Sequence, residues 1–182
     1  ARITALHACS DIWARGASVT SAQVLITLPS ISDNLQKDML VQILDGLKSA
    51  LVPQGAHIIG GHTVESRNPL HPLTNLGIEI GVTVNGFLSN GQSLWNKDGL
   101  KEGDVLLLSR QLGSGVLFAS AMKGAVKPKD LDSALSSLST SQHILLGEIL
   151  KLQAHELPEK MIHACTDITG FGLLGHLTEM LQ

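Results

Sequence analysis

The chain has 182 residues, a net charge of −3, a hydrophobic content of 43% and a mean hydropathy of +0.21. This length suffices for one large domain or two small ones, and the apolar content favours a packed core over disorder. The charge provides no basic excess for a phosphate backbone, which argues against nucleic acid as a partner, and no apolar run reaches the ~18 residues that a membrane span needs.

The cysteines indicate the cellular compartment of the protein, and the chain ends indicate whether the sequence is part of a longer chain. Cys9 and Cys165 form no Cys-x-x-Cys pair, and a secreted scaffold of this size would carry more cysteines. We therefore expect a cytoplasmic protein. The chain begins with Ala1 rather than Met and ends at Gln182 inside a predicted helix, so we expect both ends to be cuts in a longer chain.

In the first half of the chain, helical and strand patterns alternate. Apolar spacing predicts helices over 2–15 and 32–51 and strands over 22–29, 57–59 and 76–88. The strand at 57–59 is expected to be short and buried, and to run into two glycines. The strand at 76–88 is amphipathic rather than wholly apolar, which favours an α+β layer with one covered sheet face over a doubly wound parallel sheet. One face of that strand carries Ile78, Ile80, Val82 and Val84.

A polar, turn-rich stretch divides the two halves of the chain. It covers residues 89–104, and we expect two domains, 1–95 and 96–182. The second domain is predicted to contain a buried strand, a turn followed by a helix, two further helices and a glycine-rich run that leads into a last helix. These elements cover 104–109, 112–124, 128–137, 140–154 and 166–181.

The glycine-rich run is the most distinctive local motif. It contains a literal GxGxxG between Gly170 and Gly175, preceded by Asp167. That pattern alone is a weak indication of a dinucleotide site, and the preceding MIHACTDI is not a clean strand. A bare carboxylate would repel a pyrophosphate, whereas a carboxylate that holds Mg²⁺ would attract it. A glycine turn capped by Thr169 at a helix start explains the same residues without a ligand.

Two further segments carry candidate binding residues. Gly60-Gly61-His62-Thr63 follows a predicted strand; glycines there allow close approach of a ligand, and Thr63 could donate to a phosphate, although an ordinary turn is commoner. His57 and His62 lack the partners of a zinc site. Asp11 lies in an otherwise apolar helix, where it is either an exposed polar residue or a paired or metal-bound carboxylate.

Taken together, these segments resemble one family, selenophosphate synthetase (selenide, water dikinase). RITALHACSDIWARGA, IIGGHTVE, LGIEIGVTVNG, DVLLLSRQLGSGVLFASAMKG and TDITGFGLLGHLTEM occur in its order and spacing, and the resemblance covers essentially the whole chain. It implies the two-domain α+β fold of aminoimidazole ribonucleotide synthetase and a homodimer formed through the first domain's sheet. It also implies that ATP, selenide and water yield selenophosphate, AMP and phosphate, with Mg²⁺ as a cofactor.

The resemblance also assigns roles to individual residues. Asp11 matches an aspartate that binds metal and ATP, and Gly61, His62 and Thr63 match a segment that contacts ATP. Asp167 matches the metal-binding aspartate before the glycine loop. We expect Asp11 and Asp167 to face one cleft.

The family's nucleophile, a cysteine or selenocysteine, and its nearby lysine would precede Ala1, so no catalytic residue is assigned here and the 182 residues alone are expected to be inactive. Two alternatives stay open. The first is a relative of the same fold, such as thiamine-monophosphate kinase or the hydrogenase-maturation dehydratase, against which the motif at 166–177 argues. The second is a non-catalytic dimerisation or nucleotide-binding module.

Overall fold

The computed structural model describes residues 1–66, 77–155 and 161–182. The chain divides into two compact units. The first contains residues 1–13 and 17–91, and the second contains residues 14–16 and 92–182. No helix among the described residues combines the length and the apolar character needed to cross a membrane.

Two helices and a short 3-10 turn cover one side of the first unit. Helix α1 is Arg2–Trp13, α2 is Asp33–Leu51, and the 3-10 turn Val52–Gln54 follows α2 directly. The Gln54 side chain joins the two helices, because its Oε1 accepts from the Trp13 Nε1 at 3.1 Å while its Nε2 donates to the Ala50 carbonyl at 3.0 Å. Both predicted helices of this half are confirmed.

A three-stranded mixed sheet forms the other layer of the first unit. Its strands are β1 (Ser18–Pro29), β2 (His57–Ser66) and β3 (Glu79–Phe87), in the order β2-β1-β3. Strand β2 runs parallel to β1, and β3 runs antiparallel to it. The parallel pair is joined through α2, the type of crossover that parallel strands require. The expected α+β class is confirmed.

The two faces of the sheet differ in exposure. Val24 and Ile26 of β1 are 7% and 1% exposed, whereas Leu25 between them is 52% exposed. Val82 and Ile80 of β3 pair with Val24 and Ile26 and are half-buried on the same face. The alternation predicted for β3 is therefore present, and its apolar row belongs to the covered face. The open face carries three exposed apolar side chains, Leu25, Val64 and Phe87.

Strand β2 differs from its prediction. It continues through Gly60 and Gly61 to Ser66 instead of ending at the glycines, and most of its residues are exposed rather than buried. The reason is its position, because β2 lies at an edge and pairs only with β1 among the described strands. A Cβ at Gly61 would also meet the Val24 carbonyl oxygen of β1, so glycine at this position permits the close approach of the two strands.

Helices dominate the described part of the second unit. They are α3 (Ser114–Ala121), α4 (Pro128–Leu138), α5 (His143–His155) and α6 (Gly172–Met180). The turn and helix predicted at 112–124 and the helices predicted at 128–137, 140–154 and the end of the chain are thus confirmed. Pro128 lies in the first turn of α4, where its missing N–H costs nothing.

The prediction of a buried strand at 104–109 is wrong. This segment has no regular secondary structure, and Val105 and Leu107 are 82% and 92% exposed. A strand needs a neighbour to accept its backbone hydrogen bonds, and no strand occurs among the described residues of the second unit. Apolar composition alone therefore did not determine either the conformation or the burial of this segment.

Candidate functional site

Asp11 lies on the exposed face of α1. The helix buries Ala5, Leu6, Cys9 and Trp13, while Asp11 and His7, one turn earlier, are exposed. An aspartate in this setting keeps its carboxylate available, and no buried charge has to be compensated. The exposure agrees with the polar-face interpretation of Asp11 and leaves its oxygens accessible to a ligand.

The segment Gly61-His62-Thr63 lies in the middle of the edge strand β2, and all three residues are exposed. Successive side chains of a strand point to opposite faces. In the register of the sheet His62 pairs with Leu25, on the open face, and Thr63 pairs with Ile26, on the face that the helices cover. The two side chains therefore lie on opposite faces of the sheet.

Asp167 belongs to the glycine loop, which we define as residues 166–172. It is half-buried, and the loop is attached to residues before α3 by the Cys165 N–H, which donates to the Asn96 carbonyl at 2.8 Å. Burial raises the pKa of the Cys165 thiol, the negative charge of Asp167 raises it further, and Arg15 opposes the shift. Arg15 also donates to the Trp95 carbonyl at 3.1 Å, which locates this cation in the second unit.

Two glycines, one at the end of the glycine loop and one in α6, have separate structural roles. Gly172 has a φ of +67° and its N–H donates to the Thr169 carbonyl at 3.0 Å, which closes the turn before α6. A Cβ at Gly175 would lie 2.8 Å from the Phe171 Cβ, so this glycine allows Phe171 to fold onto the helix. Residues 164–168 form no strand, so the strand that precedes the glycines in a dinucleotide-binding unit is missing here.

Sequence analysis assigned no role to His176, although the glycine-rich run at 166–181 contains it. His176 is the one buried polar or charged residue among the described residues, at 4% exposed. Its Nε2 faces the Thr169 N–H at 3.0 Å, and its Nδ1 faces the Glu179 Oε2 at 3.1 Å. Lys97 Nζ lies 2.6 Å from the same carboxylate oxygen. The i,i+3 spacing of His176 and Glu179 was the available sequence signal.

The thiols of the two cysteines are poor nucleophiles. Both are free, and burial raises the pKa of Cys9 to about 11, against a smaller opposing effect of the Gln54 side chain. Since the thiolate is the reactive form of cysteine, Cys9 acts as a small buried side chain.

Two hydrogen-bonded carboxylates, Glu179 and Asp104, make the second unit sensitive to acid. The hydrogen bond from Lys97 is the main cause that lowers the pKa of Glu179 from its ordinary 4.5, and the Lys101 N–H is the main cause that lowers that of Asp104 from 3.8. A carboxyl group whose pKa is lower in the folded state stabilises the fold above its unfolded pKa, and this contribution is lost as the pH falls. We expect the melting temperature of the second unit to decrease as the pH is lowered below about 4.5.

Circular dichroism melts across the acid range would test this expectation, with Glu179→Gln as the comparison. The variant lacks the titrating carboxyl group, so its melting temperature should depend less on acid than that of the unchanged chain. Parallel pH profiles for the two proteins would show that the prediction is wrong.

The donor atoms present suit a hard cation. Among the residues that the structure describes, no three His, Cys, Asp or Glu side chains are grouped as ligands of one ion. Asp11 and Asp167 offer carboxylate oxygens, which Mg²⁺ prefers, and Mg²⁺ is commonly held by one or two carboxylates together with phosphate oxygens and water. This donor chemistry fits magnesium.

Comparison with known proteins identifies relatives of both units. The model of the AIR synthase related protein, N-terminal domain, matches residues 1–87, and that of the C-terminal domain matches residues 101–182. Eight curated relatives, 29–35% identical, all carry the name selenide, water dikinase. One from Desulfitobacterium hafniense is 35% identical over 179 residues, which cover 98% of this chain and 46% of the relative. The chain spans about half the length of these curated relatives.

Solved structures support the fold. A thiamine monophosphate kinase from Aquifex aeolicus is 20% identical, with a TM-score of 0.58 over 82% of this chain and 48% of the kinase. A structure of AaThiL complexed with AMPPCP and TMP is 19% identical, with a TM-score of 0.61 over 93% of this chain and 50% of the other. At these identities the likeness concerns the fold.

Proposed function

Since this chain belongs to the AIR synthase related proteins, we propose that it is part of an ATP-dependent selenide, water dikinase. The complete protein would convert ATP, selenide and water into selenophosphate, AMP and phosphate. The observation that carries the proposal is the shared name of eight relatives that align with 96–100% of the chain. The reaction is assigned to the complete protein because the chain spans 45–47% of those relatives.

Five residues would contribute to nucleotide and metal binding. We propose that Asp11 and Asp167 supply carboxylate oxygens to magnesium, which would offset the charge of the ATP phosphates. The segment formed by Gly61, His62 and Thr63 would contact ATP. Because the side chains of His62 and Thr63 belong to opposite faces of β2, one of them is expected to touch the nucleotide directly while the other supports the strand.

The glycine loop would keep Asp167 in a fixed position. Phosphoryl transfer depends mainly on positioned charge, with little covalent work for the protein. The half-buried Asp167 and the hydrogen bonds of Cys165 and Gly172 support such a role. Exposed Asp11, by contrast, can approach a ligand without a change in the packing of α1.

We also propose a cytoplasmic homodimer that acts on small molecules. Free cysteines support a reducing compartment. The exposed Leu25, Val64 and Phe87 on the open face of the sheet support a sheet-mediated dimer. Sedimentation of the complete protein as a monomer at micromolar concentration would contradict this part of the proposal.

A second candidate function is that of another small-molecule kinase of the same fold. It is favoured by the AaThiL structure, which was solved with AMPPCP and TMP. The two candidates differ in their products, because a dikinase releases AMP and orthophosphate whereas a simple kinase releases ADP.

Phosphorus NMR of the complete protein with Mg²⁺-ATP would distinguish the candidates. We expect selenide to cause formation of AMP, orthophosphate and a selenophosphate signal, and thiamine monophosphate to cause no turnover. ADP formation with thiamine monophosphate would favour the second candidate. The absence of turnover with either acceptor would contradict both.

A further inference from the structure

The environment of His176 fixes the tautomer of its ring. A backbone N–H can only donate, so the Nε2 that lies 3.0 Å from the Thr169 nitrogen must present a lone pair. The proton of the neutral ring is therefore on Nδ1, where it is donated to the Glu179 Oε2 at 3.1 Å. The Thr169 hydroxyl, 3.2 Å from the same Nε2, adds a second polar contact from the loop.

Lys97 is the last member of a chain of polar contacts that runs from Thr169 through His176 and Glu179. Its ammonium lies 2.6 Å from the Glu179 Oε2, and the hydrogen bond between them lowers the pKa of Glu179. The carboxylate therefore remains ionised at neutral pH and accepts from both Lys97 and His176. The Phe171 ring contacts the imidazole edge-on, with the ring centres 5.8 Å apart, which further limits the rotation of the ring.

We propose that His176 is a positioning residue that holds the glycine loop, and with it Asp167, in the conformation needed for magnesium and ATP. The contact spans seven residues and joins the middle of the loop to the helix that follows. His176 is buried, and a buried polar group is costly unless its hydrogen bonds are satisfied, so its contacts with Thr169 and Glu179 restrain both the ring and the loop. The role assigned to Asp167 rests on the proposed function, whereas the restraint of the loop does not.

Two substitutions of His176 test the contacts of its two ring nitrogens separately. Glutamine places an amide oxygen near the position of Nε2 and can accept from Thr169. Asparagine places its amide near the position of Nδ1, where it can donate to Glu179 but cannot reach Thr169. We expect His176→Asn to free the loop and His176→Gln to preserve its restraint.

Hydrogen exchange and steady-state kinetics of the complete protein would measure the effect. In His176→Asn, amides 166–172 should exchange faster than in the unchanged protein, and the KM for Mg²⁺-ATP should rise roughly 10- to 100-fold, the range found when outer partners of metal sites are lost. The value of kcat should change less. In His176→Gln, both the exchange rates and the KM should stay close to those of the unchanged protein.

Lys97→Met tests the far end of this chain of contacts, and Lys151→Met is its matched control. Lys97→Met should speed the exchange of the loop partially, because Glu179 loses one of its two donors. Lys151→Met removes a similar exposed ion pair, with Lys151 Nζ 2.7 Å from Glu148 Oε1 on α5, and should leave the loop unchanged.

Nitrogen NMR of the imidazole in the unchanged protein requires no variant and gives a direct answer. An unprotonated Nε2 with a protonated Nδ1 is expected, and the opposite tautomer would overturn the proposal. Equal loop exchange in His176→Asn and the unchanged protein would overturn it as well. If the protein shows no Mg²⁺-ATP turnover, the proposed function fails, while exchange and the tautomer still decide whether His176 restrains the loop.

Discussion

Asp167→Asn is expected to lower the Mg²⁺-dependent turnover of ATP by the complete protein by at least about 10²-fold, because a metal contributes several kcal/mol to the stabilisation of developing charge. The amide has nearly the shape of the carboxylate but lacks the negative charge that holds the cation. The melting temperature should therefore change little. Asp11→Asn is expected to have a similar effect on turnover, with no effect on packing, since Asp11 is exposed on α1.

Two exposed aspartates serve as controls for this prediction. Asp38 lies on the exposed face of α2, and Asp98 lies in the second unit; neither is assigned to the site, and their asparagine variants should turn over ATP normally. Binding of Mn²⁺, followed by electron paramagnetic resonance, provides a readout that is independent of activity. Normal Mn²⁺ binding by both Asp11→Asn and Asp167→Asn would contradict the metal assignment.

Gly61→Ala is expected to destabilise the first unit by roughly 2–4 kcal/mol, which combines overpacking with backbone strain. Gly61 has a φ of +152°, and an added Cβ would meet the carbonyl oxygen of Val24 in the paired strand. The strands would have to separate, and β1 is the central strand of the sheet. Urea unfolding followed by circular dichroism would measure the change.

Gly60→Ala is the matched control for Gly61→Ala. A Cβ at Gly60 would meet no atom within 4 Å, so this variant should change the unfolding free energy by less than about 1 kcal/mol. Equal destabilisation by the two variants would contradict the explanation. The comparison also guides work on the site. Loss of activity in a Gly61 variant would include the effect of disturbed strand pairing, whereas exposed His62 and Thr63 can be changed without that complication.

Local sequence patterns predicted most helices and the amphipathic strand well. The apolar spacing of α1 and α2 and the alternation in β3 depend on residues that are close together in the sequence, so this information is local. The family-specific run at 166–181 likewise identified the glycine loop and the helix after it. The assignments of Asp11, Asp167 and the Gly61 segment to ATP and magnesium remain predictions.

Other features depended on the tertiary structure. The length and exposure of β2 follow from its place at the sheet edge, and the irregular, exposed segment at 105–108 follows from the lack of a pairing strand among the described residues. Buried His176 contacts Thr169 and Glu179, and Glu179 in turn pairs with Lys97, which lies 79 positions before His176 in the sequence. Local patterns of apolar residues were enough to indicate most helices and the strands of the first unit, and the motifs were enough to indicate the family that the chain resembles. Strand partners, burial and long-range polar contacts were decided by the fold, because each depends on residues that only folding brings together.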